Sequence, residues 1–279
     1  MNTELSWWHR CQRPIYYGLA WCLSLIMKMV GYRRSVIDAN LALAFPDIPK
    51  PKRTAIRQAF YRNLADVIVE TFRAHSLSEH QLRQVVKVIP SPAYRLLQQK
   101  GGIILTAHLA NWEWAGLRVG LDLKMPHYVV YLPLRNRLVD QLIRTIRERF
   151  GNQAVPVKRI TRRLLEHRDR PFVASFLADQ NPPPPDIQAW YPLFKQMVPI
   201  HMGAERLARR LNVPIYWAYT RRIQRGSYVV DFECLAEYPA DIEAGVIMAQ
   251  YIQRLEAVIQ AIPEQWLWSH RRWKLHPPT

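Results

Sequence analysis

The chain has 279 residues, and its 39 Lys and Arg residues outnumber its 22 Asp and Glu residues, which gives a formal net charge of +17. Its 49% hydrophobic content supports a folded core and excludes an intrinsically disordered chain. The three cysteines include no CxxC pair, which excludes a disulfide-built miniprotein. The charge indicates an anionic partner, which can be nucleic acid, an acidic membrane surface, a phosphorylated substrate or an acidic protein.

The N-terminal region contains an apolar run, Ile15–Val30, with basic residues near both ends. As a helix this run would be about 24 Å long, shorter than the roughly 30 Å hydrocarbon core of a bilayer. Basic ends and aromatics, including Trp7, Trp8 and Trp21, are typical of a helix that enters or lies along a membrane. A signal peptide is the rival interpretation, but no small-x-small site follows the run, and a buried helix is another alternative. We predict a membrane-associated helix in residues 1–31.

The rest of the chain predicts one α/β domain over residues 32–279, in three parts. Residues 32–100 have helical spacing of apolar residues and form a helical lead-in. In residues 101–238, β-rich runs alternate with helical patterns, which indicates a mixed, largely parallel sheet flanked by helices. Residues 239–279 have the pattern of a C-terminal amphipathic helix and a tail. The β-rich runs are Ile103–Thr106, Tyr128–Leu132, Phe172–Leu177, Val213–Tyr219 and Tyr228–Phe232.

The segment richest in chemistry is residues 101–116, GGIILTAHLANWEWAG, where a predicted strand precedes His108, Asn111 and Glu113. On one helix His108 and Glu113 would lie about 140° apart, so they can meet only if His108 is in the strand-to-helix loop. Asn111 is then the predicted N-cap of the helix that begins with Glu113 in its first turn. A Glu113 carboxylate bonded to one imidazole nitrogen would leave the other nitrogen free to take a proton from a substrate hydroxyl. The alternative is a structural histidine, because this spacing often occurs by chance.

The sequence contains no GxSxG elbow and no recognisably reactive cysteine. If the chemistry is acyl transfer, we therefore expect direct attack of the acceptor on the donor without an acyl-enzyme. The His and Cys spacing predicts no metal site, and this chemistry needs no cofactor.

Four blocks occur in order along the chain: GYRR leading to NLALAFP at 40–46, HLANWE at 108–113, VYLP leading to RERFG at 147–151, and LADQ leading to GAE at 203–205. With these blocks the chain resembles the lauroyl and myristoyl acyltransferases of lipid A biosynthesis (HtrB type), in the lysophospholipid acyltransferase superfamily. The resemblance covers nearly the whole chain and implies a glycerolphosphate-acyltransferase-like α/β fold.

The resemblance implies roles for five residues. His108 would be the general base, and Glu113 would be its orienting partner. Arg147, Arg149 and Asp179 would bind substrate, and an arginine fork can hold a phosphate or stabilise an oxyanion. From the residues alone, a solvated helix face remains the alternative for Arg147, and a cap or turn role remains the alternative for Asp179.

The resemblance also implies a reaction and its location. A fatty acyl chain would pass from an acyl carrier protein thioester to a hydroxyl of an anionic glycolipid, a lipid A precursor, at the cytoplasmic side of the inner membrane. The same chemistry on an amino-acid lipid, a lysophospholipid or a glycosylated phosphatidylinositol stays open. A basic nucleic-acid-binding protein is the remote alternative.

Two basic segments fit these partners. Residues 131–171 contain eleven Lys and Arg against four acidic residues, which suits an anionic lipid headgroup, an acidic acyl carrier protein or a solvated face. Residues 265–274, QWLWSHRRWK, interleave aromatic and cationic residues, which is typical of a membrane interface.

Overall fold

The computed structural model describes residues 13–278, so Trp7, Trp8 and the start of the predicted helix 1–31 lie outside the described residues. The helices in this range are α1 (Arg13–Met29), α2 (Arg34–Ala44), α3 (Lys50–Arg73), α4 (Glu79–Val85), α5 (Pro92–Lys100), α6 (Trp112–Asp122), α7 (Arg137–Arg147), α8 (Val157–Glu166), α9 (Gly203–Leu211) and α10 (Val246–Ala261). The strands are β1 (Val86–Val88), β2 (Gly102–Thr106), β3 (His127–Tyr131), β4 (Asn152–Pro156), β5 (Val173–Leu177), β6 (Trp190–Leu193), β7 (Gln196–Pro199), β8 (Ile215–Gln224) and β9 (Ser227–Ala236).

Seven strands form one sheet in the order β1-β9-β8-β2-β5-β3-β4. The strands from β8 to β4 run parallel, whereas β9 pairs antiparallel with β8 and parallel with β1. β6 and β7 form a separate antiparallel pair. The predicted fold class, a mixed and largely parallel sheet flanked by helices, is confirmed.

Alternate side chains of the central strand β2 enter two apolar cores, one on each face of the sheet. Ile103 and Leu105 pack with residues of α3, α8, α9 and α10, whereas Ile104 packs with residues of α4, α5, α6 and α7. All three side chains are at most 3% exposed. Burial on both faces explains why β2 is a continuous apolar run.

The sequence pattern does not predict β1, β4, β6 or β7. β1 has three residues and lies within the predicted helical stretch 32–100, so it is too short to show a strand period. α7 ends at Arg147, and the backbone of Phe150, three residues later, is left-handed at φ +59°.

α1 packs one side against α3 and exposes the other. Its buried residues include Tyr17, Ala20 and Ser24. Its exposed apolar residues are Ile15, Leu19, Trp21, Ile26 and Met29. In the described part of the chain, no helix alone has the length and hydropathy needed to cross a bilayer; α1 and α2 reach them only as a pair, and their axes are bent by 87°.

A buried carboxylate joins α1 to the rest of the fold. Glu70 of α3 is 1% exposed and accepts hydrogen bonds from the hydroxyl of Tyr17 at 2.8 Å, the amide of Asn111 at 2.8 Å and the hydroxyl of Tyr228 at 2.5 Å. Burial raises the pKa of Glu70, and these donors act against that rise. Residues of α1, α3, the N-terminus of α6 and β9 therefore meet at one side chain.

The interpretation of residues 265–274 as a membrane-interface segment is wrong. Trp266, Trp268 and Trp273 are 2%, 0% and 8% exposed, and their rings pack against one another. The guanidinium of Arg272 is buried as well and donates to the carbonyl oxygen of Pro199 at 3.0 Å. The three tryptophans and Arg272 therefore form a buried cluster, whereas Arg271 and Lys274 are exposed.

Candidate active site

The candidate site lies at the carboxyl ends of the neighbouring parallel strands β2 and β5. Thr106 pairs with Leu177 in their register, so His108 and Asp179 each follow a paired position by two residues. Loops that leave adjacent parallel strands converge at the same edge of a sheet. This register brings together two residues that are 71 positions apart.

The imidazole of His108 is held by Asp179. Nδ1 of His108 lies 2.8 Å from Oδ1 of Asp179, and the backbone N–H of His108 donates to Oδ2 at 3.1 Å. The indole N–H of Trp266 donates to the same Oδ2 at 2.9 Å. Burial acts to raise the pKa of Asp179, but His108 and the hydrogen bonds outweigh it and hold that pKa at about 2.

The protonation state of this pair follows from that carboxylate. An ionised Asp179 can only accept hydrogen bonds, so the proton shared with it belongs on Nδ1 of His108. Nε2 then carries the lone pair, and the imidazole is 15% exposed. The side-chain amide nitrogen of Gln180 lies 3.4 Å from Nε2. His108 is therefore in the tautomer that can accept a proton from a hydroxyl.

Glu113 is paired with Arg147 and not hydrogen-bonded to the imidazole, which differs from the geometry expected from the sequence. Arg147 Nε lies 2.9 Å from Oε2 of Glu113, and Nη2 lies 2.5 Å from Oε1. Burial acts to raise the pKa of Glu113, but the Arg147 cation and its hydrogen bonds lower it below its usual value. His108 contributes to that lowering through its charge, so Glu113 and His108 interact electrostatically.

The loop that carries His108 is fixed on both sides. The side-chain oxygen of Asn111 accepts from the backbone N–H of Trp114 at 2.9 Å, so the predicted N-cap is confirmed. Leu109 pairs with Trp266, and the backbone N–H of Ala110 donates to the carbonyl of Gln265 at 2.8 Å. Ala110 has a left-handed φ of +48°, a strained conformation that persists only where the surrounding structure holds it.

A mainly apolar cavity opens beside this loop and extends between the sheet and α6. Thr106, Glu113 and Arg147 contribute to its wall together with apolar residues. The apolar lining includes Ile104, Leu117, Val119, Val129, Leu177, Ala218, Val230 and Phe232. A Cβ built on Gly116, which also lines the cavity, would meet no atom within 4 Å. The arrangement places an apolar slot next to the Glu113–Arg147 pair and the loop that carries His108.

The structure does not bring Arg149 to this site. Its guanidinium donates to the carbonyl oxygens of Ala74 and Leu77, the latter at 2.9 Å, and so closes the turn after α3.

Sequence reasoning missed Gln180 and Trp266. Gln180 could have been noted as the neighbour of Asp179, whereas the burial of Trp266 has no local signal. Between residues 13 and 278, no group of three or more His, Cys, Asp or Glu is arranged to hold a metal ion.

Comparisons with known proteins cover nearly the whole chain. Residues 9–275 match the family described as bacterial lipid A biosynthesis acyltransferase. A lipid A biosynthesis acyltransferase of Haemophilus influenzae is 35% identical over 132 residues, which are 47% of this chain and 41% of that protein. A lipid A biosynthesis lauroyltransferase of Escherichia coli is 24% identical over 269 residues, covering 95% of this chain and 87% of that protein. A lipid A biosynthesis palmitoleoyltransferase of the same organism is 25% identical over 251 residues, which cover 88% of this chain and 80% of that protein.

Proposed function

Since the chain belongs to the bacterial lipid A biosynthesis acyltransferase family and is an acyltransferase, we propose that it moves a fatty acyl chain from an acyl carrier protein thioester to a hydroxyl of a lipid A precursor. The observation that carries this proposal is the geometry of His108. Its Nδ1 is bonded to the ionised Asp179, and Thr106 and Trp112, which flank the loop that carries it, line an apolar cavity.

The reaction begins with a proton transfer. Nε2 of His108 takes the proton of the acceptor hydroxyl while the hydroxyl oxygen attacks the thioester carbonyl carbon. The resulting tetrahedral intermediate collapses as the C–S bond breaks. The imidazolium of His108 returns its proton to the leaving thiolate, which leaves an ester on the acceptor and a free thiol on the carrier.

The neighbouring carboxylates have different tasks in this proposal. Asp179 holds the reactive tautomer and stabilises the imidazolium that forms, so it is a positioning residue. Glu113 adds a second negative charge near His108 and fixes Arg147 at the wall of the cavity. Arg147 keeps its role as a substrate-binding residue in the proposal, and the apolar slot receives the acyl chain. Arg149, whose guanidinium is bonded to backbone carbonyls, has no part in this mechanism.

We place this reaction at the cytoplasmic side of the inner membrane. The exposed apolar side of α1 supports attachment to a lipid surface. Leu134, Leu138 and Leu142, at or just before α7, are 47%, 79% and 40% exposed. The basic residues between 131 and 171 suit both an anionic acceptor and an acidic acyl carrier protein.

The test is transfer by the purified full-length chain from an acyl carrier protein thioester to a lipid A precursor, followed by mass spectrometry of the acceptor. The wild-type protein should add one acyl chain. His108→Ala should lower turnover by about 10²–10⁴-fold, the usual contribution of a general base.

The matched control is His75→Ala, because His75 is exposed at the turn after α3. Wild-type turnover by His108→Ala would refute the mechanism. Acylation only of a lysophospholipid or an amino-acid lipid, with the lipid A precursor unchanged, would refute the acceptor. An equal rate with an acyl coenzyme A donor would refute the carrier protein as the specific donor.

A further inference from the structure

The buried carboxylate of Glu70 also contacts the catalytic loop, residues 107–111. The side-chain amide nitrogen of Asn111 donates to Oε2 of Glu70 at 2.8 Å, and both residues are at most 1% exposed. The side-chain oxygen of Asn111 caps α6 by accepting the backbone N–H of Trp114. One side chain therefore joins α3, the loop and α6, three residues after His108.

The catalytic loop has a strained backbone at Ala110, between His108 and Asn111. Its left-handed φ of +48° costs free energy in a residue other than glycine, so contacts on both sides must hold it. On one side the backbone N–H of Ala110 donates to the carbonyl oxygen of Gln265 at 2.8 Å. On the other side the loop ends at Asn111, which is bonded to Glu70. Without this second contact the loop can relax, and His108 moves with it.

The side chain of Asn111 needs an acceptor at position 70. Its oxygen already caps α6, so its amide nitrogen must donate to another group. Because both side chains are buried, bulk water does not replace the carboxylate of Glu70 as that acceptor. A buried amide without an acceptor is costly, so removal of the acceptor favours a different position of Asn111.

Other contacts hold the surroundings of this bond in place. The hydroxyl of Tyr228 donates to Oε2 of Glu70 at 2.5 Å, and the hydroxyl of Tyr17 donates to Oε1 at 2.8 Å. The indole N–H of Trp114 donates to the backbone carbonyl oxygen of Glu70 at 2.7 Å, a bond that needs no side chain at position 70. A substitution at position 70 therefore removes the support of the loop while α6 stays bonded to α3.

We propose that Glu70 is a positioning residue of acyl transfer, which acts through Asn111 to hold the catalytic loop where Asp179 binds His108. Asp179 contacts both Nδ1 and the backbone N–H of His108, so both bonds depend on the place of the loop. This inference rests on the proposed function, because it names a further residue on which the base of that reaction depends.

The experiment compares two substitutions of Glu70 in the acyl transfer assay. Glu70→Met has a similar size but no strong acceptor, so kcat should fall roughly 10²-fold, the effect of displacing a reacting group by about 1 Å, with KM little changed. Glu70→Gln should keep most of the wild-type kcat. Its side-chain oxygen can accept from Asn111, while its amide nitrogen faces the hydroxyl of Tyr17, which can accept as well as donate.

Asn111→Ser tests the same contact from the other side. Serine keeps an oxygen that caps a helix but has no amide to reach Glu70, so kcat should fall as it does in Glu70→Met. If both changes break one contact, the double variant Glu70→Met/Asn111→Ser should lose no more than the more impaired single variant. Losses that multiply in the double variant would overturn Asn111 as the link.

The matched control is Glu205→Met. Glu205 of α9 is also 1% exposed, and its carboxylate accepts the backbone N–H groups of Gly245 and Met248, around the start of α10. The same substitution there should lower the free energy of unfolding but leave kcat at the wild-type value. A loss of kcat equal to that of Glu70→Met, or an equal loss in Glu70→Gln, would reduce Glu70 to a structural role.

Hydrogen exchange of the backbone amides of residues 107–114 measures the loop without any substrate. Exchange in this segment should be faster in Glu70→Met than in the wild type or in Glu205→Met, because local opening of the loop costs less free energy. Unchanged exchange would overturn the proposal even if the wild-type chain acylates the lipid A precursor. Failure of the wild-type chain to acylate that precursor would refute the proposed function and leave the exchange result standing.

Discussion

Asp179 gathers three donors from distant parts of the chain: the imidazole and backbone N–H of His108, and the indole N–H of Trp266. Each donor stabilises the ionised carboxylate, which is why its pKa remains at about 2 despite full burial. A permanently charged acceptor at Nδ1 fixes the tautomer of His108 before any substrate arrives. The orientation and tautomer of the imidazole are thus set by a residue that need not touch the substrate.

Asp179→Asn is the sharpest test of this role. The asparagine amide can donate to Nδ1, which favours the tautomer with its proton on Nε2 and removes the stabilising charge. We expect kcat to fall by about 10³–10⁴-fold, with KM changed little. Turnover by the variant should be lower than turnover by the wild type at every pH at which the wild type is active.

Asp186→Asn is the matched control, because Asp186 is exposed on the loop that follows Asp179. It should retain wild-type kcat. If Asp179→Asn also retained it, Asp179 would not position His108.

At this scale the sequence predicts which residues the fold brings together better than it predicts their hydrogen-bond partners. The blocks around His108, Glu113, Arg147 and Asp179 predict four residues that the fold places around the end of β2. The hydrogen bond from His108 to Asp179 depends on the register of β2 against β5, which no local pattern encodes. Arg149 is two positions from Arg147 but lies beyond the end of α7, and its guanidinium bonds to backbone carbonyls.

α6 connects the catalytic loop to the edge of the sheet. Its residue Gly120 lies against the side chain of Asn152 in β4, and a Cβ built on Gly120 would lie 1.7 Å from Oδ1 of Asn152. That oxygen is 2.8 Å from Nδ1 of His127, and the amide of Asn152 donates to the carbonyl of Gly116 at 3.2 Å. Close packing of α6 on β4 therefore depends on the absence of a side chain at position 120.

Gly120→Ala should separate α6 from β4 and lower the free energy of unfolding by about 1–3 kcal/mol, as overpacking does. Gly116→Ala, on the same helix, should be neutral or raise it by up to about 1 kcal/mol, because nothing lies within 4 Å and alanine favours a helix. Urea unfolding of the two variants measures both values. Equal destabilisation by both substitutions would contradict the contact with Asn152.

The helices and the central strands could be predicted because their periods are long or their apolar runs continuous. α10 is an example, since Ile247, Tyr251 and Leu255 recur at helical spacing and are all fully buried. β4 could not be predicted in this way, because it begins with the buried polar residue Asn152, whose hydrogen-bond partners lie in other elements. The division of the chain at residue 31 stays a prediction.

At the scale of the whole molecule, burial opposes protonation of three histidines among the described residues, His127, His201 and His270, and the effect is largest at His127 and His270. Burial lowers the pKa of His127 from 6.5 to about 4, and burial also lowers that of His270 to about 4. In the unfolded chain both would take up protons near pH 6.5, before they do so in the fold. Their contribution to stability is therefore complete above pH 6.5 and is lost as the pH falls towards 4.

We expect the free energy of unfolding to fall by about 3 kcal/mol across this pH range from His127 alone, because 1 pKa unit corresponds to about 1.4 kcal/mol. Denaturant midpoints measured from neutral to acidic pH report the slope. His127→Asn removes the titrating group and should flatten it. A slope unchanged by that substitution would mean that other groups cause the loss.

The buried carboxylate of Glu70 has a consequence for the order in which the protein is made. Its donors come from positions 17, 111 and 228, and the last is 158 residues further along the chain than Glu70 itself. Because synthesis proceeds from the N-terminus, α1 and α3 emerge long before the strand that supplies Tyr228. The exposed apolar side of α1 is therefore complete while the ribosome is still adding the sheet, and the polar site around Glu70 closes only after Tyr228 has been synthesised.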